Sequence, residues 1–256
     1  RLKALFDGDI DTERLLLSLT TELGDSFSEP LRSARVETLA DRPWEREWLK
    51  DFKPMRFGER LWICPGGQRP ADFSPTANRE PRTANRQVLI ELDPGLAFGT
   101  GTHPTTRLCL RWLAHRALEG RCVIDFGCGS GILAITAMKL GAARAWGVDI
   151  DPQAVAAARD NAARNGVAAD FVSAADELPA SADIVVANIL AQPLIVLAPL
   201  LSGLNGRGGA IALSGILVEQ AQEIRDAYAA WYDFDPVQEE DGWVLVTGTC
   251  RPEPSP

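Results

Sequence analysis

Several features are scarce or missing in this 256-residue sequence, and each absence excludes a class of protein. No apolar run reaches the roughly 18 residues that a membrane-spanning helix needs, so no membrane partner is expected. The five cysteines include no C-x-x-C pair and there are only two histidines, so we expect neither a disulfide framework nor a metal site. Acidic residues interrupt the opening segment, which does not resemble a signal peptide, and a cytoplasmic location is therefore expected.

Positive charge is also in short supply. Lys+Arg 26 against Asp+Glu 35 gives a formal net charge of −9. This balance argues against a broad phosphate-binding surface and favours a basic or small partner, although a local basic patch could still exist. Hydrophobic residues make up 46% and charged residues 24%, which is ordinary for a globular protein.

The pattern of apolar runs divides the chain into three parts. Residues 1–50 are typical of a small, incomplete α+β segment, and 51–90 are predicted to be a linker with a polar insertion at about 68–87. In 91–256, short β-branched runs alternate with helical stretches, which predicts an α/β fold with a Rossmann-like, mostly parallel sheet and helices on both faces. The predicted strands are 122–126, 145–149, 182–188, 210–214 and 243–249, and the clearest predicted helices are 152–165 and 190–201.

The most informative segment is the glycine loop D-F-G-C-G-S-G-I at 125–132, between a predicted strand and a predicted helix. Glycines allow a backbone to approach a ligand closely, and the carboxyl edge of a parallel sheet is the usual ligand crevice of this architecture. The dinucleotide fingerprint G-x-G-x-x-G would need glycine at position 132, where Ile132 stands, so a nucleoside is favoured over a dinucleotide. A tight turn without any ligand is the alternative interpretation.

Asp149 ends the next predicted strand, 22 residues after Gly127. A carboxylate at this place can accept hydrogen bonds from both hydroxyls of a ribose. Asp149 could instead cap the helix that begins at Pro152, but Asp151 is better placed for that role.

The glycine loop, Asp149 and Asn188 together resemble the class I S-adenosylmethionine-dependent methyltransferases. The segment D-P-G-L-A-F-G-T-G-T-H-P-T-T at 93–106 is similar to the loop before the first core strand in the PrmA family, the methyltransferases of ribosomal large-subunit protein eleven. The resemblance runs over about 44–249. It implies a seven-stranded methyltransferase sheet and S-adenosylmethionine as methyl donor, and it implies that the family's N-terminal substrate-recruiting domain is truncated here.

The resemblance also implies which residues bind the donor. Glycines of the loop would let the donor lie on bare backbone, an apolar side chain would pack on the adenine, and the segment before the first core strand would fold over the donor as a lid. By the resemblance these are Thr106, Gly127, Asp149 and Asn188, and the arguments from bare backbone, ring packing and a lid add Gly129, Ile150, Phe98 and Gly99.

Asn188 is the predicted catalytic residue. In amino-group methyltransferases an Asn or Asp here starts an Asn-Pro-Pro-aromatic motif whose oxygens accept hydrogen bonds from the target nitrogen. Ile189 and Leu190 replace the prolines in this sequence and no aromatic residue follows, so a flipped nucleobase fits poorly and an aliphatic amine is favoured. Asn188 could merely cap the following helix, and His103 could assist proton removal.

The resemblance thus implies a monomeric enzyme without metal that methylates lysine side chains and the N-terminal amine of ribosomal large-subunit protein eleven, without sequence-specific contact to nucleic acid. The alternatives are a methyltransferase acting on RNA or on a small-molecule amine, and a non-catalytic nucleoside-binding module. Ile132 disfavours a nicotinamide oxidoreductase, and the G-x-S-x-G elbow of a hydrolase is missing.

Overall fold

The computed structural model describes residues 11, 14, 15, 18, 21, 53–73, 87–92, 99 and 101–251. The chain divides into two compact units, Arg1–Trp44 and Glu45–Pro256. In the first unit, the Asp11 carboxylate accepts from the backbone N–H of Arg14 at 3.1 Å, and the Asp11 carbonyl accepts from Leu15 N–H at 2.9 Å, which caps the start of a helix. Most of 1–50 lies outside the described residues, and the α+β segment there stays a prediction.

The described part of the second unit contains eleven strands and six α-helices. The strands are β1 (Met55–Phe57), β2 (Leu61–Pro65), β3 (Val88–Leu92), β4 (Cys122–Phe126), β5 (Arg144–Val148), β6 (Asp170–Val172), β7 (Ala182–Asn188), β8 (Asn205–Leu217), β9 (Tyr232–Phe234), β10 (Gln238–Glu240) and β11 (Trp243–Cys250). The helices are α1 (Pro104–Ala114), α2 (Ile132–Lys139), α3 (Pro152–Asn165), α4 (Ala191–Val196), α5 (Ala198–Gly203) and α6 (Ala221–Tyr228).

The main sheet follows the order β10-β11-β8-β7-β4-β5-β6, with β9 also paired to β11. Strands β6, β5, β4, β7 and β8 are parallel, and β11 is antiparallel to β8. This confirms the predicted fold class. The sheet has eight strands instead of the predicted seven, because β9 and β10 pair with opposite ends of β11 and share its outer edge.

Helices cover both faces of this sheet because alternate residues of each strand point to opposite sides. Val123 belongs to a core cluster with residues of α1, α2 and α3, whereas its neighbour Ile124 belongs to a second cluster with residues of α4, α5 and α6. The predicted helix 190–201 is in fact two helices, α4 and α5. Pro199, which has no N–H to continue a helical ladder, lies in the first turn of α5.

A small sheet of β1, β2 and β3 packs into the first core cluster through Phe57, Ile63 and Ile90. The Asn165 side chain at the end of α3 accepts from Glu91 N–H at 2.9 Å and donates to Glu91 O at 2.7 Å, which fixes β3 to α3. The described parts of 51–90, the range predicted to be a linker, therefore form strands of the second unit. Most of the polar insertion predicted at about 68–87 lies outside the described residues. The domain boundaries themselves stay a prediction.

Within the ranges that the structure describes, no helix combines the length and apolar character needed to cross a bilayer.

Candidate functional site

The glycine loop lies at the carboxyl ends of β4 and β5. Gly127 (φ 75°), Gly129 (φ 51°) and Gly131 (φ 78°) all adopt left-handed backbone conformations that other residues rarely accept. The N–H groups of Gly127 and Cys128 donate to Val148 O at 2.8 and 3.0 Å, so the loop is fastened to the end of β5. The loop therefore has a fixed shape and leads directly into α2.

Two of these glycines also make room for neighbouring side chains. A Cβ added at Gly127 would overlap Cγ2 of Ile189, and one added at Gly131 would lie 2.9 Å from Ala158 Cβ and from Phe171 Cζ. The separations at Gly127 and at Gly131 are both shorter than normal contacts between carbon atoms. At Gly127, the space that the sequence interpretation left for a donor is thus partly used by Ile189.

Asp149 connects the glycine loop to the chain after β5. Its Oδ2 accepts from Gly129 N–H at 2.9 Å and its Oδ1 accepts from Asp151 N–H at 3.0 Å. Each carboxylate oxygen can accept a further hydrogen bond, so a ribose could still bind. Asp151, not Asp149, caps α3 by accepting from Gln153 N–H at 2.9 Å, which confirms the expectation that Asp151 is the cap.

Ile150 lies between these two carboxylates in the chain, and it is 93% exposed. A single exposed apolar side chain is common in proteins. Here it lies directly after Asp149, the carboxylate predicted to hold a ribose, so it is available to pack against a flat apolar ring.

Asn188 and Thr106 meet where β7 ends. The Asn188 amide Nδ2 donates to Thr106 Oγ1 at 3.2 Å, and Thr106 is buried in the first turn of α1. Asn188 Oδ1 is buried and has no hydrogen-bond partner among the described residues. Asn188 does not cap α4, whose cap position is Leu190 without a side-chain bond. An amide oxygen buried without a partner costs free energy, so it indicates a ligand acceptor.

The described part of the loop before α1 contacts the glycine loop, and the predicted lid role stays a prediction. Ser130 Oγ donates to Gly99 O at 2.5 Å. A Cβ added at Gly101 would lie 3.1 Å from Met55 Cε and 3.4 Å from Ile132 Cδ1, so this glycine is closely packed. Phe98, a predicted donor contact, lies outside the described residues.

His103 is the N-cap residue of α1. Its Nδ1 lies 2.8 Å from Thr105 Oγ1 and accepts from Thr105 N–H at 3.4 Å. Burial, followed by the positive charge of Arg107, lowers the pKa of His103. The ring nitrogen nearest to α1 is thus already engaged, which weakens the interpretation of His103 as a proton acceptor.

Asp125 is a site residue that the sequence interpretation did not single out. It is buried at the end of β4, and its Oδ2 accepts from Ala134 N–H at 3.1 Å. Burial raises the pKa of Asp125 to about 7; the bond from Ala134 lowers it, and the charge of Asp149 raises it further. The available signal was an acid within an otherwise apolar strand, directly before the glycine loop.

The structure also has a cavity away from the glycine loop. A cavity of about 860 Å³ lies at the opposite edge of the main sheet, and the charges that line it include the ion pair of Arg121 with Asp183 at 3.1 Å. No group of three or more His, Cys, Asp or Glu residues in the described ranges is placed to hold a metal ion.

Comparison with known proteins adds independent information. A family model described as ribosomal protein L11 methyltransferase (PrmA) matches residues 1–251. A protein of Pseudomonas paraeruginosa with that name is 53% identical over 253 residues, which cover 98% of this chain and 81% of the relative. Its namesake in Pectobacterium carotovorum subsp. carotovorum is 52% identical, over 97% of this chain and 80% of the relative.

Solved structures agree with these matches. The crystal structure of a ribosomal protein L11 methylase from Lactobacillus delbrueckii subsp. bulgaricus is 30% identical with a TM-score of 0.66, and the match covers 78% of this chain and 98% of that one. A methyltransferase from Pyrococcus furiosus shares the fold at 15% identity, with a TM-score of 0.51 over 62% of this chain and 88% of the other.

Proposed function

This chain belongs to the family of ribosomal protein L11 methyltransferases (PrmA), and we propose that it transfers methyl groups from S-adenosylmethionine to amino groups of ribosomal protein L11, namely lysine side chains and the N-terminal amine. One observation carries this proposal. Asn188 Oδ1 is buried without a partner in the described chain, while Nδ2 of the same amide is held by Thr106. An acceptor fixed in this way suits an N–H group of the substrate.

The donor side of the site fits a charged nucleoside. The Asp149 carboxylate has acceptor capacity left for ribose hydroxyls, and the exposed Ile150 beside it can cover an adenine ring. S-adenosylmethionine supplies a methyl group that is already activated by the sulfonium charge. The protein's main task is therefore to hold donor and acceptor in line.

Deprotonation of the target amine is the remaining obstacle. A lysine with a pKa of about 10.4 costs about 4.6 kcal/mol to neutralise at pH 7, at about 1.36 kcal/mol per unit. Removal from water and a neighbouring positive charge both lower that pKa. Asn188 Oδ1 can then orient the neutral nitrogen, and no strong base is required.

The net charge of −9 suits a basic protein substrate better than a phosphate backbone. We infer that the enzyme acts as a monomer in the cytoplasm, where ribosomal proteins are made. An RNA or a small-molecule amine as substrate remains the alternative, and the experiment below separates these substrates.

The test is methyl transfer from radiolabelled S-adenosylmethionine to purified ribosomal protein L11, to ribosomal RNA and to free lysine, followed by intact mass spectrometry of the products. We expect label on the protein alone, in mass steps of one methyl group on amines. Label on RNA or on free lysine alone would replace the proposal by the corresponding alternative. If the chain binds the donor and labels none of the three, a nucleoside-binding module is the better description.

Replacing Asp149 by alanine should weaken S-adenosylmethionine binding by roughly 1.5 to 3 kcal/mol, because a hydrogen bond to a charged group is lost. Calorimetric titration measures this. The matched control is Asp151→Ala, which removes a carboxylate two residues away that caps α3 without contacting the glycine loop. It should cost about 1 kcal/mol of stability and change affinity little. Equal affinities of the Asp149 variant and the unaltered protein would place the ribose elsewhere.

A further inference from the structure

Arg107 follows Thr106 in α1, and its guanidinium has three partners on two separate segments. Nη1 donates to Thr102 O at 3.1 Å, in the loop before α1. Nη2 donates to Asp241 Oδ2 at 2.7 Å, and Nε pairs with Glu240 Oε1 at 2.6 Å. The side chains of Arg107 and Glu240 are only 29% and 20% exposed, so water screens this pair less than a fully exposed one.

Glu240 and Asp241 lie in the β10–β11 hairpin, just before and at its turn. Asp241 (φ 51°) and Gly242 (φ 78°) form the two-residue connection between β10 and β11. Asp241 is the one non-glycine residue with positive φ in the described ranges. Two-residue turns with positive φ at both positions favour Asp-Gly and Asn-Gly, so the turn geometry accounts for the residue type and fixes where its carboxylate lies.

The same hairpin also contacts the loop and the strands that carry the candidate site. The Trp243 ring stands edge-on to His103, with centroids 4.9 Å apart. One residue on, Val244 O accepts from Ser214 Oγ at 2.9 Å, and Ser214 is the β8 partner of Asn188. Contacts from the hairpin thus reach both the start of α1 and the end of β7, the two places that contribute Thr106 and Asn188.

We propose that Arg107 is a positioning residue for the reaction. It fixes the loop before α1 to the β10–β11 hairpin and thereby holds the first turn of α1, from which Thr106 orients the Asn188 amide. This role rests on the proposed function of the Thr106–Asn188 pair. Arginine suits it because its rigid planar fork donates to Thr102 O and to Asp241 in fixed directions while its charge pairs with Glu240, whereas a lysine ammonium is a compact charge on a flexible stem.

Arg111 provides a matched control on the same helix. It also pairs with Glu240, so Arg111→Ala removes the same charge and one ion pair from the same acid. The hydrogen bond to the loop carbonyl of Thr102 comes from Arg107. A role that depends only on charge or on the pair with Glu240 would affect both variants alike, whereas the contacts with Thr102 and Asp241 are lost only in Arg107→Ala.

The experiment compares Arg107→Ala, Arg107→Lys and Arg111→Ala in the full chain, first without any ligand. Amide hydrogen exchange over residues 101–106 reports local opening of the loop and the first turn of α1. We expect exchange there to rise roughly tenfold in Arg107→Ala, the effect of one lost charge-assisted hydrogen bond, and to stay within about twofold in Arg111→Ala. Arg107→Lys should recover only part of the protection.

Kinetics provides a second readout that general destabilisation would not mimic. In Arg107→Ala, kcat per folded enzyme should fall roughly tenfold because the Asn188 amide loses its fixed anchor on Thr106. The KM for S-adenosylmethionine should rise as well, since the loop contacts the glycine loop through Ser130 and Gly99, with the KM for ribosomal protein L11 within about twofold of normal. If Arg107→Ala does not fold, Asp241→Asn replaces it. That change keeps a residue suited to the turn and removes the carboxylate charge, so a smaller rise in the same exchange is expected.

Equal exchange over 101–106 in the Arg107 and Arg111 variants would overturn the proposal, whatever the activities are. A rise in exchange with unchanged kcat and unchanged KM for the donor would also overturn it, because the contact would then be structural only. A rise in exchange in an enzyme that methylates no amine would keep the loop contact and reject the proposed function instead.

Discussion

Asn188→Ala should lower kcat for methyl transfer to ribosomal protein L11 by roughly 100-fold or more, with the fold intact. A fixed hydrogen-bonding group in a water-poor site contributes about 10²–10³ to kcat in comparable enzymes. Asn188 Oδ1 has the burial and the free acceptor capacity for this role. Single-turnover transfer at saturating donor measures the effect without interference from product release.

Thr106→Val and Thr106→Ser are the controls for this result. Valine keeps the shape of threonine but removes the hydroxyl that accepts from Asn188 Nδ2, whereas serine keeps the hydroxyl. We expect a fall of roughly tenfold for valine, because the amide loses its anchor but keeps its oxygen, and a much smaller one for serine. A kcat within about threefold of normal in Asn188→Ala would remove Asn188 from the chemistry.

The features that the sequence predicted well depend on short stretches of chain. The bounds of β4 and β7 match the predicted 122–126 and 182–188, and α3 matches 152–165. Helix α3 has Asp151 before it, proline in its first turn and left-handed Gly166 at its end, so local capping rules determine its bounds. Because β4 and β5 are parallel neighbours, their carboxyl ends lie at the same edge of the sheet, which places the glycine loop after β4 beside Asp149 after β5.

The features that could not be predicted depend on contacts between distant parts of the chain. Asn188 and Thr106 are 82 residues apart, and no pattern in either segment specifies their hydrogen bond. The packing of Ile189 against Gly127 likewise follows from the way β7 lies beside β4. The short strands β9 and β10 carry too few residues for a periodic signal, so the sequence indicates only β11 at this edge of the sheet.

Asp125 should make the empty enzyme less stable as the pH rises from about 4 to about 7. Burial raises the pKa of this carboxyl to about 7 in the folded chain, whereas the ordinary value is 3.8. Between these values the folded state holds a proton that the unfolded state has released, so the free energy of unfolding falls with rising pH. A difference of about three units corresponds to about 4 kcal/mol at about 1.36 kcal/mol per unit.

Asp125→Asn should remove most of this pH dependence, because asparagine can still accept from Ala134 N–H but carries no charge. Urea unfolding of both proteins at several pH values between 4.5 and 8.5 measures the difference. Asp183→Asn is the control, which should leave the slope between pH 4.5 and 8.5 unchanged because the Asp183 carboxyl loses its proton below this range. The bond from Cys122 N–H, followed by Arg121, lowers the pKa of Asp183, so its stabilisation is present above its ordinary pKa and is lost as the pH falls.

The position of Asp125 gives its charge two possible roles, which the same variant separates. Helix α2 begins at Ile132, its N-cap residue Gly131 has no side chain to cap it, and Asp125 supplies an acceptor for the third N–H of that helix. Its negative charge, directly before the glycine loop, would also attract a positively charged donor. Asp125→Asn should therefore stabilise the empty enzyme at pH 8 and weaken its affinity for S-adenosylmethionine there, with little effect on affinity at pH 6. If stability rises without any loss of affinity, the buried carboxylate serves only α2.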